Sequence, residues 1–173
     1  MKILVVGDSC TDVFVYGDIT RLTPEAPVPV FNPIRKVSNA GMSKNVANNL
    51  EALGETVYNI TNPNIIKKIR YVDKKSNQLV LRVDEHDYCD RINTDVLSSI
   101  KDNKCTIPMS GQVKIDAIII SDYCKGFLEE DDIQYICENN SNVFVDTKKK
   151  LGEWIDNCTY LKINSLEYEN NEK

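Results

Sequence analysis

Three apolar runs, each meeting an aspartate at its exit, set the rhythm of this chain: "KILVVGD" (2 to 8), "DAIIISD" (116 to 122) and "NVFVDTK" (142 to 148). An unbroken apolar run predicts a strand buried on both faces, as in a parallel sheet. "TYLKIN" (159 to 164) is a weaker fourth case. Between these runs the spacing turns helical. "SKNVANNLEALG" (43 to 54) places Val46, Ala47, Leu50 and Leu53 on one face, with Ser43 expected to cap its start and Gly54 its end. "NTDVLSSIKDN" (93 to 103) and "LEEDDIQYICENN" (128 to 140) follow suit. In the second, the acids at 129 to 132 suit a helix N-terminus. Strands alternating with helices predict an α/β layered fold.

Two regions break that rhythm. "RLTPEAPVPVF" (21 to 31) holds Pro24, Pro27 and Pro29, residues unsuited to a helix interior or a central strand. Valines alternate with the last two prolines, so the segment reads as an extended edge with one apolar face. "IIKKIRYVDKKSNQLVLRVDEHD" (65 to 87) reads as two strands around the polar turn "DKKSNQ". Ile66, Ile69 and Tyr71, then Leu79, Leu81 and Val83, supply its apolar positions. Both regions are β-rich additions to an α/β core. The polar tail from 167 to 173 is expected to fray.

At 173 residues the chain suffices for one domain with a real core. A net charge of −5 and a pI of about 5.0 argue against nucleic acid or an anionic membrane as the main partner. No segment is long enough to span a bilayer. The six cysteines include no CxxC pair and the one histidine is His86, which argues against a zinc site. They read as free thiols in a reducing, cytoplasmic setting.

Ligands of an open parallel sheet bind at the carboxyl ends of its strands. The exit residues are Asp8 and Asp12, then Asp122 and Lys125, then Asp146 and Lys148, then Asn164 and Glu167. Aspartates there can accept hydrogen bonds from hydroxyls, and lysines can hold phosphate. Solvation alone explains any single one of them; the recurrence over four exits is the signal. In "NAGMSKN" (39 to 45), Gly41 precedes a helix and admits close backbone approach, although a plain helix-entry loop has the same form. The acidic stretch "DEHDYCD" (84 to 90) reads as a solvated turn after a strand, since its residues are not spaced for one metal coordination sphere.

Several motifs, taken in order, carry a resemblance. "VVGDSCTDVFVYGDITRLTPEAPVPVF" (5 to 31), "GMSKNVANNLEALG" (41 to 54), "SDYCKGFL" (121 to 128), "VDTKK" (145 to 149) and "INSLEYE" (163 to 169) run through nearly the whole chain. Together they resemble the N-terminal part of ribokinase-like (PfkB family) carbohydrate kinases. The likeness is strongest to the heptose 7-phosphate kinase domain of the bifunctional heptose kinase/adenylyltransferase group. The resemblance implies a ribokinase-like parallel-sheet core with helices on both faces and a small β-sheet lid. Lid strands are expected near residues 26 to 36 and 65 to 84 of a single domain, truncated on its C-terminal side. It further implies ATP-dependent phosphorylation of a sugar phosphate, with Mg²⁺, and a homodimer formed through the lid sheet. By the same carry-over, Asp12, Gly41 and Asn45 would line the sugar pocket, and Arg70, Arg82 and Lys125 would face the sugar phosphate. Lys148, Asn164 and Glu167 would be associated with the nucleotide and Mg²⁺, without ligating the metal directly.

This sequence departs from the family pattern at three places. Met42 stands where the family has a second glycine, adding bulk near the sugar. The stretch after Gly54 runs almost directly into the lid strand at 65, so a smaller sheet is expected on that side. None of the seven glycines sits in the family's G-A-G-D motif, whose Asp is the general base and whose backbone forms an anion hole. The expectation is therefore a kinase-like chain inactive alone: a fragment, a split kinase completed by a C-terminal half, or a relic. The alternative is a non-catalytic module that binds sugar phosphate or dimerises. A Rossmann-type nucleotide regulator is poorly supported, because "GDSCTD" carries one glycine only.

Overall fold

A computed structural model describes residues 1–171 of the chain. The first apolar run forms β1 (Lys2–Gly7), and a single residue, Asp8, separates it from the long β2 (Ser9–Leu22). The chain returns in β3 (Pro29–Met42) and enters α1 (Ser43–Ala52) with no intervening residue. Then follow β4 (Thr56–Thr61), β5 (Ile66–Asp73), β6 (Leu79–Glu85) and α2 (Thr94–Ser98). A hairpin of β7 (Lys104–Ile107) and β8 (Gly111–Lys114) leads into β9 (Ala117–Asp122), α3 (Glu130–Asn139) and β10 (Val143–Thr147). A 3-10 turn at Glu153–Ile155, β11 (Tyr160–Lys162) and α4 (Ser165–Asn171) complete the order.

Five strands form a parallel core sheet in the order β11-β10-β9-β1-β4. The apolar runs alternate between its two faces. Leu4, Val6, Ile118 and Ile120 join Ile133, Ile136 and Cys137 of α3 in the main core. Ile3 and Val5 turn the other way, onto Ala47 of α1, with Val46 and Leu50 beside them. Fully burying a Leu or Ile contributes about 1.5–3 kcal/mol, so this two-sided burial dominates the stability of the sheet. Helices thus cover both faces, as expected.

The second sheet has the order β3-β2-β5-β6 and stands beyond the carboxyl end of β1. Its pairings mix signs: β2 is antiparallel to β3 but parallel to β5, and β5 is antiparallel to β6. The expected lid strands correspond to β3, β5 and β6. β2, as long as β3, carries no unbroken apolar run, and the sequence pattern does not predict it.

Four local expectations change. The stretch after Gly54 holds β4, a core edge strand parallel to β1, where the sequence suggested little more than a connection. Ser43 does not cap α1; its hydroxyl donates to the Gly7 carbonyl, closing the gap between helix and β1. Leu53 lies off the buried face and is exposed, whereas Gly54, at φ 88°, ends the helix as expected. The segment 93 to 103 gives only the short α2, and beyond it Asp102 and Asn103 take left-handed backbone that turns the chain into β7. The acids of α3 do sit in its first turn, where Glu129 and Asp132 form a reciprocal capping box.

Candidate functional site

Where the core sheet meets the lid, four chain segments converge: the Asp8 junction, the β3–α1 junction, the inner face of β5 and β6, and the loop after β9. The register places Asn39, Asp12, Lys68 and Asp84 in one row across the lid, and Val37, Phe14, Arg70 and Arg82 in the next. Opposed residues share a face, so these side chains form one surface, polar except at Val37 and Phe14. It is continuous with buried Cys10 and Ile66, which belong to the main core.

Asp12 accepts a hydrogen bond from Arg70 Nη1 at 2.5 Å, and the same guanidinium lies 5.2 Å above the Phe14 ring. Gly41 sits opposite Cys10 in the register. A Cβ there would fall 2.4 Å from Asp12 Oδ2 and 2.5 Å from Cys10 Sγ. Only glycine leaves Asp12 its place. Met42 takes φ 56°, a conformation that favours glycine, and its side chain is buried in the main core. Its bulk therefore goes into packing, away from the Asp12 surface. Asn45 is exposed on the first turn of α1.

Lys125 reaches this surface from the loop after β9, and its ammonium lies 2.6 Å from Asp87 Oδ2. That loop is held from beneath by Asp8, which is 1% exposed. The Asp8 carboxylate accepts from the backbone N–H groups of Tyr123 (2.6 Å), Lys125 (3.3 Å) and Phe127 (3.3 Å). Burial pushes the Asp8 carboxyl above the ordinary carboxylate range, against the lowering effect of these donors, and neighbouring Asp122 adds to the rise. Arg82 lies on the same face but is exposed and held bidentately by Asp84, with both contacts at 2.7 Å.

The remaining predicted residues lie along the exits of β10 and β11. Lys148 is exposed, with its ammonium 4.6 Å above the Tyr123 ring. Its neighbour Lys149, not singled out in the sequence, contacts Asp122 at 3.2 Å. Burial works most strongly against the Lys149 charge, but Asp122, Cys124 and Glu129 together hold the ammonium above its ordinary value. Thr147 Oγ1 donates to the same carboxylate at 2.6 Å. Asn164 and Glu167 form a reciprocal cap on α4: the Asn164 N–H donates to Glu167 and the Glu167 N–H to Asn164. The structure thus brings Asp12, Gly41, Arg70 and Lys125 together, places Arg82 at their margin, and leaves Lys148, Asn164 and Glu167 as a second group.

Asp8 was visible in the sequence only as one more exit residue. Asp87, within the acidic stretch expected to be solvated, gave no signal at all. Among the described residues no cluster of His, Cys, Asp and Glu could hold a metal ion, and no helix is long and apolar enough to cross a membrane.

The fold is that of the ribokinase-like (PfkB) carbohydrate kinases. A mutant form of phosphofructokinase-2 from Escherichia coli superposes with a TM-score of 0.61 at 12% identity, covering 98% of this chain and 62% of that one. A nucleoside kinase from Methanocaldococcus jannaschii, an archaeal member of the ribokinase family, gives 0.52 at 13% identity over 99% and 63%. In sequence the chain is related to the N-terminal part of bifunctional HldE proteins. The protein of that name from Helicobacter acinonychis is 32% identical over 155 residues, covering 74% of this chain and 32% of the relative. The chain therefore spans about a third of the length of the curated relatives it matches. No family model matches the chain.

Proposed function

We propose that this chain is the sugar-phosphate-binding part of a carbohydrate kinase, acting on a heptose 7-phosphate type of substrate. The observation that carries the reading is the convergence of Asp12, Gly41, Arg70 and Lys125 from four separate segments onto one surface. A carboxylate beside a glycine-opened gap suits sugar hydroxyls, and a guanidinium and an ammonium alongside suit a phosphate.

ATP, when bound, would supply the phosphoryl group, and Mg²⁺ would neutralise charge on its phosphates. Lys148 fits a role at those phosphates: its ammonium is exposed and lies over an aromatic ring. Glu167 and Asn164 fit as orienting groups, because the cap on α4 fixes both side chains. The general base and anion hole that the family draws from a G-A-G-D motif have no counterpart among the glycines of this sequence. In this reading these residues supply the sugar-phosphate side of the reaction.

The decisive experiment titrates heptose 7-phosphate into the chain and its Asp12→Ala variant by calorimetry. Affinity should fall by about ten-fold or more in the variant, with an unchanged circular dichroism spectrum. Equal affinity would overturn the reading. ADP release in the presence of Mg-ATP then separates a kinase from a module that only binds.

The outer lid face favours a second copy as partner. Ile69, Tyr71, Leu81 and Val83 share that face by register with Val13 and Val15, which are already buried within the chain. An open groove of about 420 Å³ lies on it, lined by Val28, Pro29, Phe31 and Tyr71 among others. We propose that two lids pair through it. Sedimentation should show a dimer, converted to monomer by Leu81→Glu.

A further inference from the structure

The most buried cations of the site are already answered by a carboxylate. Lys68 and Lys125 have side chains only 11% and 19% exposed, against 43% for Arg82. They come from different elements, β5 and the loop after β9. Asp87 lies between them, with Oδ2 2.6 Å from Lys125 Nζ and Oδ1 3.7 Å from Lys68 Nζ. The second contact is beyond hydrogen-bond reach, and Oδ1 is buried without a hydrogen-bond partner among the described residues. Two shielded ammonium groups so placed repel each other unless an anion intervenes. A two-oxygen carboxylate satisfies one of them and leaves the other long. His86, at φ 51°, makes the turn after β6 that brings Asp87 here.

We propose that Asp87 is an internal competitor that occupies the place of the ligand's anionic group, and that it selects for a phosphate monoester. This rests on the sugar-phosphate reading above and deepens it. A phosphate dianion carries three terminal oxygens and more charge than the aspartate, so it can hydrogen-bond both lysines at once. A singly charged carboxylate ligand gains nothing by displacing Asp87. Asp87 therefore tunes specificity by setting a threshold of charge, while Lys68 and Lys125 do the binding.

The test measures inorganic phosphate binding by calorimetry to the full chain and to Asp87→Asn, Asp84→Asn and the double variant Asp87→Asn with Lys125→Gln. Asp84 lies across from Lys68 but accepts its hydrogen bonds from Arg82, so its variant changes net charge equally while removing no direct contact to either lysine. Asp87→Asn should bind phosphate roughly ten-fold more tightly, Asp84→Asn less than about three-fold, and the double variant should lose the gain. Asp87→Ala, as a second variant, should rank as Asp87→Asn does, and thermal midpoints verify folding. Equal gains at positions 84 and 87 would show a mere net-charge effect and overturn the proposal. So would weaker binding in Asp87→Asn, which would make Asp87 a support for the lysines and leave the sugar-phosphate reading standing. Absence of binding in every variant would instead remove the phosphate site itself, and both readings with it.

Discussion

The Asp8 carboxylate takes the backbone N–H of Tyr123 at 2.6 Å, tying the end of β1 to the loop that carries Lys125. Because Asp8 also serves Lys125 and Phe127, one buried side chain sets the course of a five-residue turn from 123 to 127. Asp8→Asn keeps the size but turns an amide donor toward one of those N–H groups. The expected loss is about 2 kcal/mol at pH 7 in urea unfolding. The pH dependence has a definite sign. The folded carboxyl holds its proton more tightly than the unfolded one, so its contribution is fully present below the ordinary carboxylate value and lost as pH rises through the raised one. The gap between wild type and Asp8→Asn should therefore be wider near pH 4 than at pH 7. A gap that narrows on acidification would contradict the assignment.

Gly41→Ala should act on binding more than on folding. The new methyl group would drive Asp12 and Cys10 from their places, at a cost of about 1–2 kcal/mol in stability. Affinity for heptose 7-phosphate should fall roughly ten-fold or more, since Asp12 cannot return to its position. Calorimetry that finds wild-type affinity would show that Asp12 does not touch the ligand.

Met42→Gly sets two effects against each other. Relief of the backbone at φ 56° is worth about 1–3 kcal/mol, and loss of a buried methionine costs about 2–5 kcal/mol. Packing should win by about 1–2 kcal/mol, a smaller loss than a core truncation usually gives. Urea midpoints check the sign, and a stabilised variant would mean that strain dominates.

Thiol labelling should resolve the cysteines into classes. Burial pushes Cys10 and Cys105 up to about 11 and Cys89 and Cys137 to about 12. Cys124 is exposed and Cys158 half-buried. Native protein at pH 8 should label first at Cys124, then at Cys158, with the other four reacting only on unfolding. Mass spectrometry reads the order. Rapid labelling of Cys10 would show that the lid opens from the core.

The parts legible in the sequence were those with one dominant environment. β1, β9 and β10 are apolar on both faces, so their runs are unbroken. β2 has a charged face at Asp12 and an apolar one at Val13 and Val15, and a glycine and a bulge interrupt it at Gly17. No single period describes it. Asp12, Gly41 and Arg70 could be placed through a family likeness, but their pairing could not. Asp87 has the composition of any solvated turn; only the closure of the lid against the loop after β9 puts it between two lysines. The Lys148 and Lys149 pair shows the same limit: adjacent identical residues meet different partners, the Tyr123 ring and the Asp122 carboxylate.

The parallel pairing of β2 with β5 has a consequence for the order of assembly. The β2–β3 hairpin can close locally, early in folding. β5 can join it only after the chain has left the lid, completed α1 and β4, and returned at Ile66. Asp12 and Arg70, 58 residues apart, therefore meet at the end of that circuit, after the loop-closure entropy of the core has been met. The ligand surface therefore needs a 58-residue closure in addition to the local hairpin, and damage to α1 or β4 should weaken it even where the hairpin survives.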